Sequence, residues 1–468
     1  MSGARFAGDV DVNKVAIVGD SGYFDISKLT IGIDMYENIF FPFVRGIVTI
    51  DDAQDSINKI NFKEKEFLEL DFNTPDKEGY KSTYYIYKVS DKVKTADKKN
   101  IYSIYFIHVD AVNELISKLS KTFKDKPHVT VDQIIKEKVP DGLESKEKLD
   151  VEDTNKKLTY TSNYWSPCQN IYHLCKYAVS TKDNPAYLFF QNNEGYHFKT
   201  FDKLIEQEPK AKFKLDNFDH TPKTSCSSNK DLTEYYERIL TVKFPQMFNF
   251  GYETLSGVFQ SLSLNYDQVK KKYVSTIHDD NWDKVDHLNK EQKMKEGPKK
   301  NEHAAQEAFG QKEFTYEDQE DGTNIPTKQE RDAIFARYAR TKTKISVFGN
   351  SELWAGNVVE LEVIKQKGMD EASGESAGMV DPTYSGKYII SAVAHHVNKE
   401  NYETHLELIR DAFQESEEDS DKPKDDKPAE KPKDESQPSF RDKLDDDEKK
   451  ALDDATKKAI DDMNKTGN

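Results

Sequence analysis

Cysteine is scarce: Cys168, Cys175 and Cys226 are the only three in 468 residues. An odd count without C-x-x-C spacing excludes a disulfide framework and offers no zinc site, so folding in a reducing cytosol is expected. Long apolar runs are missing too. No segment approaches about 18 uninterrupted apolar residues, and the N-terminus lacks the charged start and apolar stretch of a signal peptide. Neither membrane insertion nor export by the general route is expected. The sequence has no G-x-S-x-G, no G-x-x-x-x-G-K-[ST], no H-E-x-x-H and no EF-hand loop. Nucleophilic, nucleotide-dependent, zinc-protease and calcium-binding readings each lose the part that makes them work. Positive charge is in deficit, 68 Lys and Arg against 85 Asp and Glu, a net charge of -17. Such a chain repels phosphates, which disfavours a general nucleic-acid-binding role. No short internal repeat is visible.

Aromatic residues are what the chain has in quantity, 24 Tyr and 26 Phe, a bias toward strand-rich structure and wide contact surfaces. At this length two to four domains are expected. Strand-length alternating segments recur at 29–36, 43–50, 66–72, 82–91 and 100–109, separated by turn residues such as Asn73, Pro75, Asp76 and Gly79. They predict five or six strands of a meander or small barrel over residues 1–109.

The period then changes. Val112, Leu115, Ile116 and Leu119 follow helical spacing behind Asp110 as an N-cap. A second helix is expected over 166–179, capped by Ser166 with Pro167 in its first turn and Ile171, Leu174, Cys175 and Ala178 buried. A hairpin, 186–191 and 196–201 around Asn192 to Gly195, completes an α+β domain at 110–235. Strand character returns at 237–246 and 252–280, where Gly257 suits a bulge. Residues 283–322 are charged and poor in large apolar side chains, the composition of a mobile insertion. Beyond them, Thr327 and Glu330 form a capping box before a helix carrying Ile334, Phe335 and Tyr338. Strands are expected at 343–348, 356–364, 386–397 and 402–410, so a second β domain comprises 236–282 and 323–414. Residues 415–468 hold nineteen acidic and twelve basic side chains and four Pro, a disordered acidic tail with a possible helix at 440–463.

Candidate chemistry is weak against plainer readings. His395 and His396 are adjacent on a strand and point to opposite faces, so they do not grip one metal ion. Cys168, His173 and Cys175 share a helix but not a face suited to catalysis, and read as buried filler. The basic run at 92–99 reads as a solubilising hairpin tip rather than a nucleic-acid platform, and Lys270, Lys271 and Lys272 as a solvated face. No cofactor, no metal and no catalytic residue are expected.

Two stretches carry a family resemblance. Residues 29–51, LTIGIDMYENIFFPFVRGIVTID, join an alternating strand, a turn and a second strand. Glu37 and Asn38 are expected to break the ladder, Phe40 and Phe41 to anchor the corner, Pro42 to stop continuation and Gly46 to sit where strands cross closely. Residues 384–411 carry Tyr384, Gly386, Tyr388, Tyr402, Leu406 and Arg410 in a closing hairpin. With the intervening segments 106–127, 163–180 and 184–204 in the same order, the chain resembles the central hub proteins of contractile-tailed phage baseplates, related to the hub part of type VI secretion spikes. The likeness spans residues 17–413.

That resemblance implies an α+β, mainly β fold with two similar antiparallel β-barrel tube domains and an inserted α+β domain. It further implies a homotrimer whose six barrels form a ring continuing a sixfold tail tube. A trimeric spike, the tail tube, the tape-measure protein and baseplate wedges would be its partners. Genomic DNA would pass through the lumen unbound, in a virion baseplate assembled in the host cytoplasm. The family pattern contains no catalytic residue. Rival readings are a tailocin or secretion-type hub, a cell-wall hydrolase and a sugar-binding scaffold.

Overall fold

Alternate burial along a strand marks a sheet with one packed face, and it appears first at Thr30–Asn38, where Ile33, Met35 and Glu37 point inward and Asp34, Tyr36 and Asn38 outward. The computed structural model describes residues 7–412, apart from 21, 53–62, 95–99, 216–234, 248, 268–271, 280–286, 290–307, 312–324, 365–379 and 399–400. Cys226, the 95–99 tip, most of the charged insertion and the acidic tail with its 440–463 segment therefore lie outside the described residues.

The first β region contains β1 (Asp11–Gly19), β2 (Gly22–Asp25), β3 (Thr30–Asn38), β4 (Arg45–Asp52), β5 (Phe67–Asn73), β6 (Tyr80–Lys94) and β7 (Asn100–His108). Their lateral order is β3-β4-β7-β6-β5-β1-β2, all antiparallel. The two strands the alternation rule missed, β1 and β2, are the least alternating: Val15, Ala16 and Ile17 are buried consecutively. Val15, Ile33, Val48, Leu70, Phe72 and Phe106 pack in the enclosed core. Each such side chain contributes about 1.5–3 kcal/mol by leaving water.

The α+β segment follows, with α1 (Asp110–Ile116), β8 (Thr122–Phe123), α2 (Pro127–Lys136), β9 (Leu149–Val151), β10 (Tyr160–Thr161), α3 (Pro167–Tyr177), β11 (Tyr187–Asn192), β12 (Gly195–Thr200) and α4 (Phe201–Ile205). Helix α3 starts at Pro167 behind Ser166, with Gln169 closing the capping box, and buries Ile171, Leu174, Cys175 and Ala178. Helix α1 departs from expectation. Val109, not Asp110, is its N-cap, and Leu115 and Ile116 are exposed. The helix lasts only seven residues, and the chain turns extended at Ser117, so Leu119 reaches the core through a bridge to Trp165 rather than along a helical stripe.

The second β region holds β13 (Ala211–Leu215), β14 (Ile239–Gln246), α5 (Phe250–Leu255), β15 (Gln260–Asp267), β16 (Lys272–Asp279), β17 (Ala308–Gln311), α6 (Ile325–Tyr338), β18 (Thr341–Phe348), β19 (Val358–Val363), β20 (Gly386–Asn398) and β21 (Tyr402–Arg410). Three expectations change here. Residues 250–255 are helix, not strand, because Asn249 accepts from the Tyr252 N–H and starts a turn; Gly257 follows it with φ +75° in a loop instead of a bulge. Helix α6 begins at Ile325, which places Thr327 inside its first turn rather than at the cap. The charged insertion also contributes structure: β17 pairs parallel with β15, and Leu288 is buried.

Strands β14-β18-β21-β20 continue the first region's sheet because β20 pairs with β3 over seven residues, Ala392–Asn398 against Gly32–Asn38. A register shift between Ile390 and Ala392 lets the earlier part of β20 turn away and pair with β19, which carries β13 in parallel. The result is a single thirteen-stranded sheet. The mainly β, largely antiparallel expectation holds, while closure of two separate barrels is absent from the described ladders. β13 does return beside the start of β14, but through one isolated bridge, Lys214 with Arg238. The reason is the length of β20: at thirteen residues it pairs with β21 along one edge and with both β19 and β3 along the other, and the ladder with β3 is the one joining the two regions.

Candidate interaction surface

The seam between β3 and β20 covers a buried polar cluster. Glu37 continues β3 opposite Val393 and points into the core instead of breaking the ladder. Its carboxylate accepts from the Tyr80 hydroxyl (2.8 Å) and from the Ala355 N–H (2.9 Å). Tyr80 also lies 3.0 Å from His395 Nε2, and the Tyr402 hydroxyl is 2.8 Å from His395 Nδ1. Strands β3, β6, β20 and β21 thus each supply one member. Burial pushes the Glu37 carboxyl up to about 7, against the pull of the Ala355 N–H, the Tyr80 hydroxyl and the Asn193 N–H, and pushes His395 down to about 3. His395 is therefore neutral at working pH, and the cluster is a structural tie between the regions.

Above the cluster lies the open face of the sheet. Its first-region part is aromatic: Tyr36, Ile47, Tyr87 and Tyr105 border a cleft of about 240 Å³, with Lys88 over the Tyr105 ring at 4.4 Å. Its second-region part is charged. His396 meets Asp34 (2.5 Å) and stands edge-on to His405, ring centroids 4.6 Å apart, while Lys344 pairs with Glu407 (3.2 Å). A groove of about 690 Å³ crosses from one part to the other, walled by Tyr36, Phe40 and Phe41 and floored by Ala392 and Ala394.

The residues singled out from sequence fall into distinct places. Phe40 is half exposed on the groove wall and Phe43, not Phe40, enters the core beneath the corner. Asn38 accepts from the Phe40 N–H at 2.7 Å, and Pro42 lies in the turn after β3. At Gly46 a Cβ would meet the Asp34 carbonyl oxygen at 2.3 Å and Phe106 Cζ at 2.4 Å. In the closing hairpin Tyr388 and Tyr402 are fully buried, and Leu406 joins the second-region core. Tyr384 donates to the Met247 sulfur and accepts from the Tyr388 hydroxyl at its carbonyl. Arg410 is buried across the Tyr388 ring and donates to the Ser385 and Thr383 carbonyls, pinning the chain just before β20. Gly386 has φ +120° and admits Asn289, whose amide binds both the N–H and the carbonyl of Lys387.

Cys168 and Cys175 are buried thiols on α3, their pKa values raised by burial, and His173 packs at tilted angles among the rings of Tyr160, Trp165 and Tyr177, with its pKa pushed down by burial to about 4. His395 is enclosed while His396 reaches the open face. Among the described residues no group of three or more His, Cys, Asp or Glu is arranged to hold a metal ion. Missed from sequence were Ala355, Tyr80 and the groove cations Arg45 and Lys243. The signal for Glu37 was available, since it occupies the inward phase set by Ile33 and Met35.

No protein-family model and no curated protein matches the chain. Solved structures do match its fold. The E. coli c3393 protein, described as a type VI secretion component structurally similar to the T4 tail proteins gp27 and gp5, aligns with 86% of this chain and 76% of its own at 7% identity and a TM-score of 0.40. The 43 kDa tail protein of prophage MuSo2 from Shewanella oneidensis aligns with 85% of this chain and 98% of its own, at 9% identity and a TM-score of 0.48. The tail protein from Neisseria meningitidis MC58 aligns with 85% of this chain and 96% of its own, at 10% identity and a TM-score of 0.51. Over 85% of its length the chain shares the fold of the Neisseria tail protein.

Proposed function

We propose that this chain is the central hub of a contractile-tail baseplate. Three copies form a ring, the two β regions of each copy giving six units around one axis. A sixfold tail tube meets one side and a threefold spike the other. The observation that carries this reading is the β3–β20 seam, which sets two β regions edge to edge with one continuous outer face. Three such chains under closed cyclic symmetry present the six similar surfaces that a hexagonal tube needs. The tail-protein fold supports it, and a net charge of -17 suits a conduit along which genome phosphates pass without adhering. The protein acts by alignment and binding, with no catalytic step, at the virion baseplate after assembly in the host cytoplasm. Its neighbours there are the spike, the tube with its tape-measure protein, and the wedges.

Light scattering on the purified full chain is expected to give about three times the 53.9 kDa monomer mass, and electron microscopy a ring with a central pore. A monomer at micromolar concentration overturns the reading. Zymography on peptidoglycan is expected to show no clearing, and a clear band from pure protein would make the chain a hydrolase instead.

A further inference from the structure

We propose that the groove crossing the seam is a docking site for an extended acidic peptide segment with an apolar side chain at its middle. Cross-strand register builds the site. Asn38, Ala392, Glu407, Lys344 and Lys243 form one transverse row, each the direct ladder partner of the next. Arg45, Tyr36, Ala394 and His405 form a parallel row one pleat along. Both rows carry alanine where they cross β20, Ala392 in the first, beside Glu407, and Ala394 in the second; these small side chains give the groove its depth, and Phe40 and Phe41 stand along its side. An apolar anchor would lie on that floor.

The charges at the ends identify the occupant. Lys243 stands directly opposite Lys344 across the ladder, and like charges so placed destabilise a sheet. Glu407 at 3.2 Å neutralises Lys344. Lys243 makes no ion pair with a described residue, and neither does Arg45, whose guanidinium lies over the Phe41 ring at 4.7 Å. In a chain with 17 excess negative charges, an uncompensated pair of cations at opposite ends of one groove calls for carboxylates from outside. Strands β4 and β14 are five strand spacings apart in the sheet order. At ~4.8 Å per spacing that is about 24 Å, the reach of roughly seven extended residues. Glutamates or aspartates at the two ends of such a segment meet Arg45 on one side and Lys243 on the other. Nucleic acid, the other polyanion, fits less well, because Asp34, Glu403 and Glu407 border the same face and repel a continuous phosphate chain.

The test uses the full-length protein and fluorescence anisotropy with a labelled octapeptide, two glutamates at each end and leucine, serine, leucine and serine between. Saturable binding is expected, at least tenfold weaker when lysines replace the glutamates. A Lys243→Glu variant is expected to bind at least tenfold more weakly. Its fold is safe, because the change turns a repulsive cross-strand pair into an attractive one, and its melting temperature is expected to hold or rise. Ala394→Trp fills the floor with the charges intact and is expected to abolish binding. Equal binding of the acidic and basic peptides, undiminished binding by Lys243→Glu, or tighter binding of an oligothymidine of the same length would each overturn the proposal. None of these readings depends on whether the chain forms a ring.

Discussion

Between pH 4.5 and 7 the native protein is expected to lose about 3 kcal/mol of stability relative to a Glu37→Gln variant, since a shift of one pKa unit corresponds to about 1.4 kcal/mol. The cause is the Glu37 carboxyl, held by burial at about 7 against an ordinary value of 4.5. In the unfolded chain it ionises near the lower value. Below pH 4.5 both states carry the proton, and the favourable difference is complete. As pH rises to 7 the unfolded state releases its proton first, so the folded state binds more protons and stability falls. Above 7 both are ionised and the loss is finished. Glutamine cannot titrate, which removes this component of the slope. The substitution also sets an amide N–H₂ against a donor, either the Ala355 N–H or the Tyr80 hydroxyl, at a constant cost of about 1–3 kcal/mol. Urea unfolding midpoints at a series of pH values separate the two effects, because only the titrating part changes with pH. Parallel curves for the two proteins would refute a protonated Glu37 in the seam.

Glu37 also shows how far the sequence could be read. Alternation located β3, β4, β5, β6 and β7 and the closing β20–β21 hairpin to within two or three residues, because one-sided burial writes period two directly into side-chain polarity. It failed where both faces are covered, as at Val15, Ala16 and Ile17 in β1. It failed again in short helices, where a stripe needs more turns than α1 has: Leu115 and Ile116 matched the helical spacing yet face outward. A carboxylate at an inward position invited the reading that the strand ends there, although the phase of Ile33 and Met35 already pointed it to the core. What satisfies it, the Ala355 N–H, comes from 318 residues later. The groove was hidden for the same reason. Lys243, Lys344, Glu407 and Ala392 are spread over about 165 residues and become one row only through ladder register, which no single segment encodes. The seam itself depends on β20 being long enough for two partners, β19 and β3, along one edge, a property visible as length but not as a pairing.

Replacing Gly46 with alanine is expected to destabilise the first β region by about 3 kcal/mol or more, the upper end of the cost of overpacking. Strand propensity argues the other way, since glycine inside a strand costs roughly 0.5–1 kcal/mol relative to alanine. The sign of the measured change therefore distinguishes local preference from packing. Packing wins on distance. An added Cβ would sit 2.3 Å from the Asp34 carbonyl oxygen and 2.4 Å from Phe106 Cζ. The oxygen belongs to the β3 backbone and cannot move without opening the β3–β4 ladder, in which Gly46 is the partner of Met35. The ring belongs to Phe106, fully buried and 4.8 Å from the Tyr84 ring, with no room to turn. Trimming that ring in a Gly46→Ala, Phe106→Leu double variant removes one of the two clashes. It is expected to show coupling, costing less than the sum of the single changes, while remaining below the native protein because the backbone clash persists. Strand β3 is also the seam strand, so opening its ladder with β4 loosens the strand that β20 pairs against and with it the junction of the two regions. Chemical denaturation of the four proteins measures all of this, and a Gly46→Ala variant as stable as the native chain would mean that the two strands do not pass as closely as 2.3 Å implies.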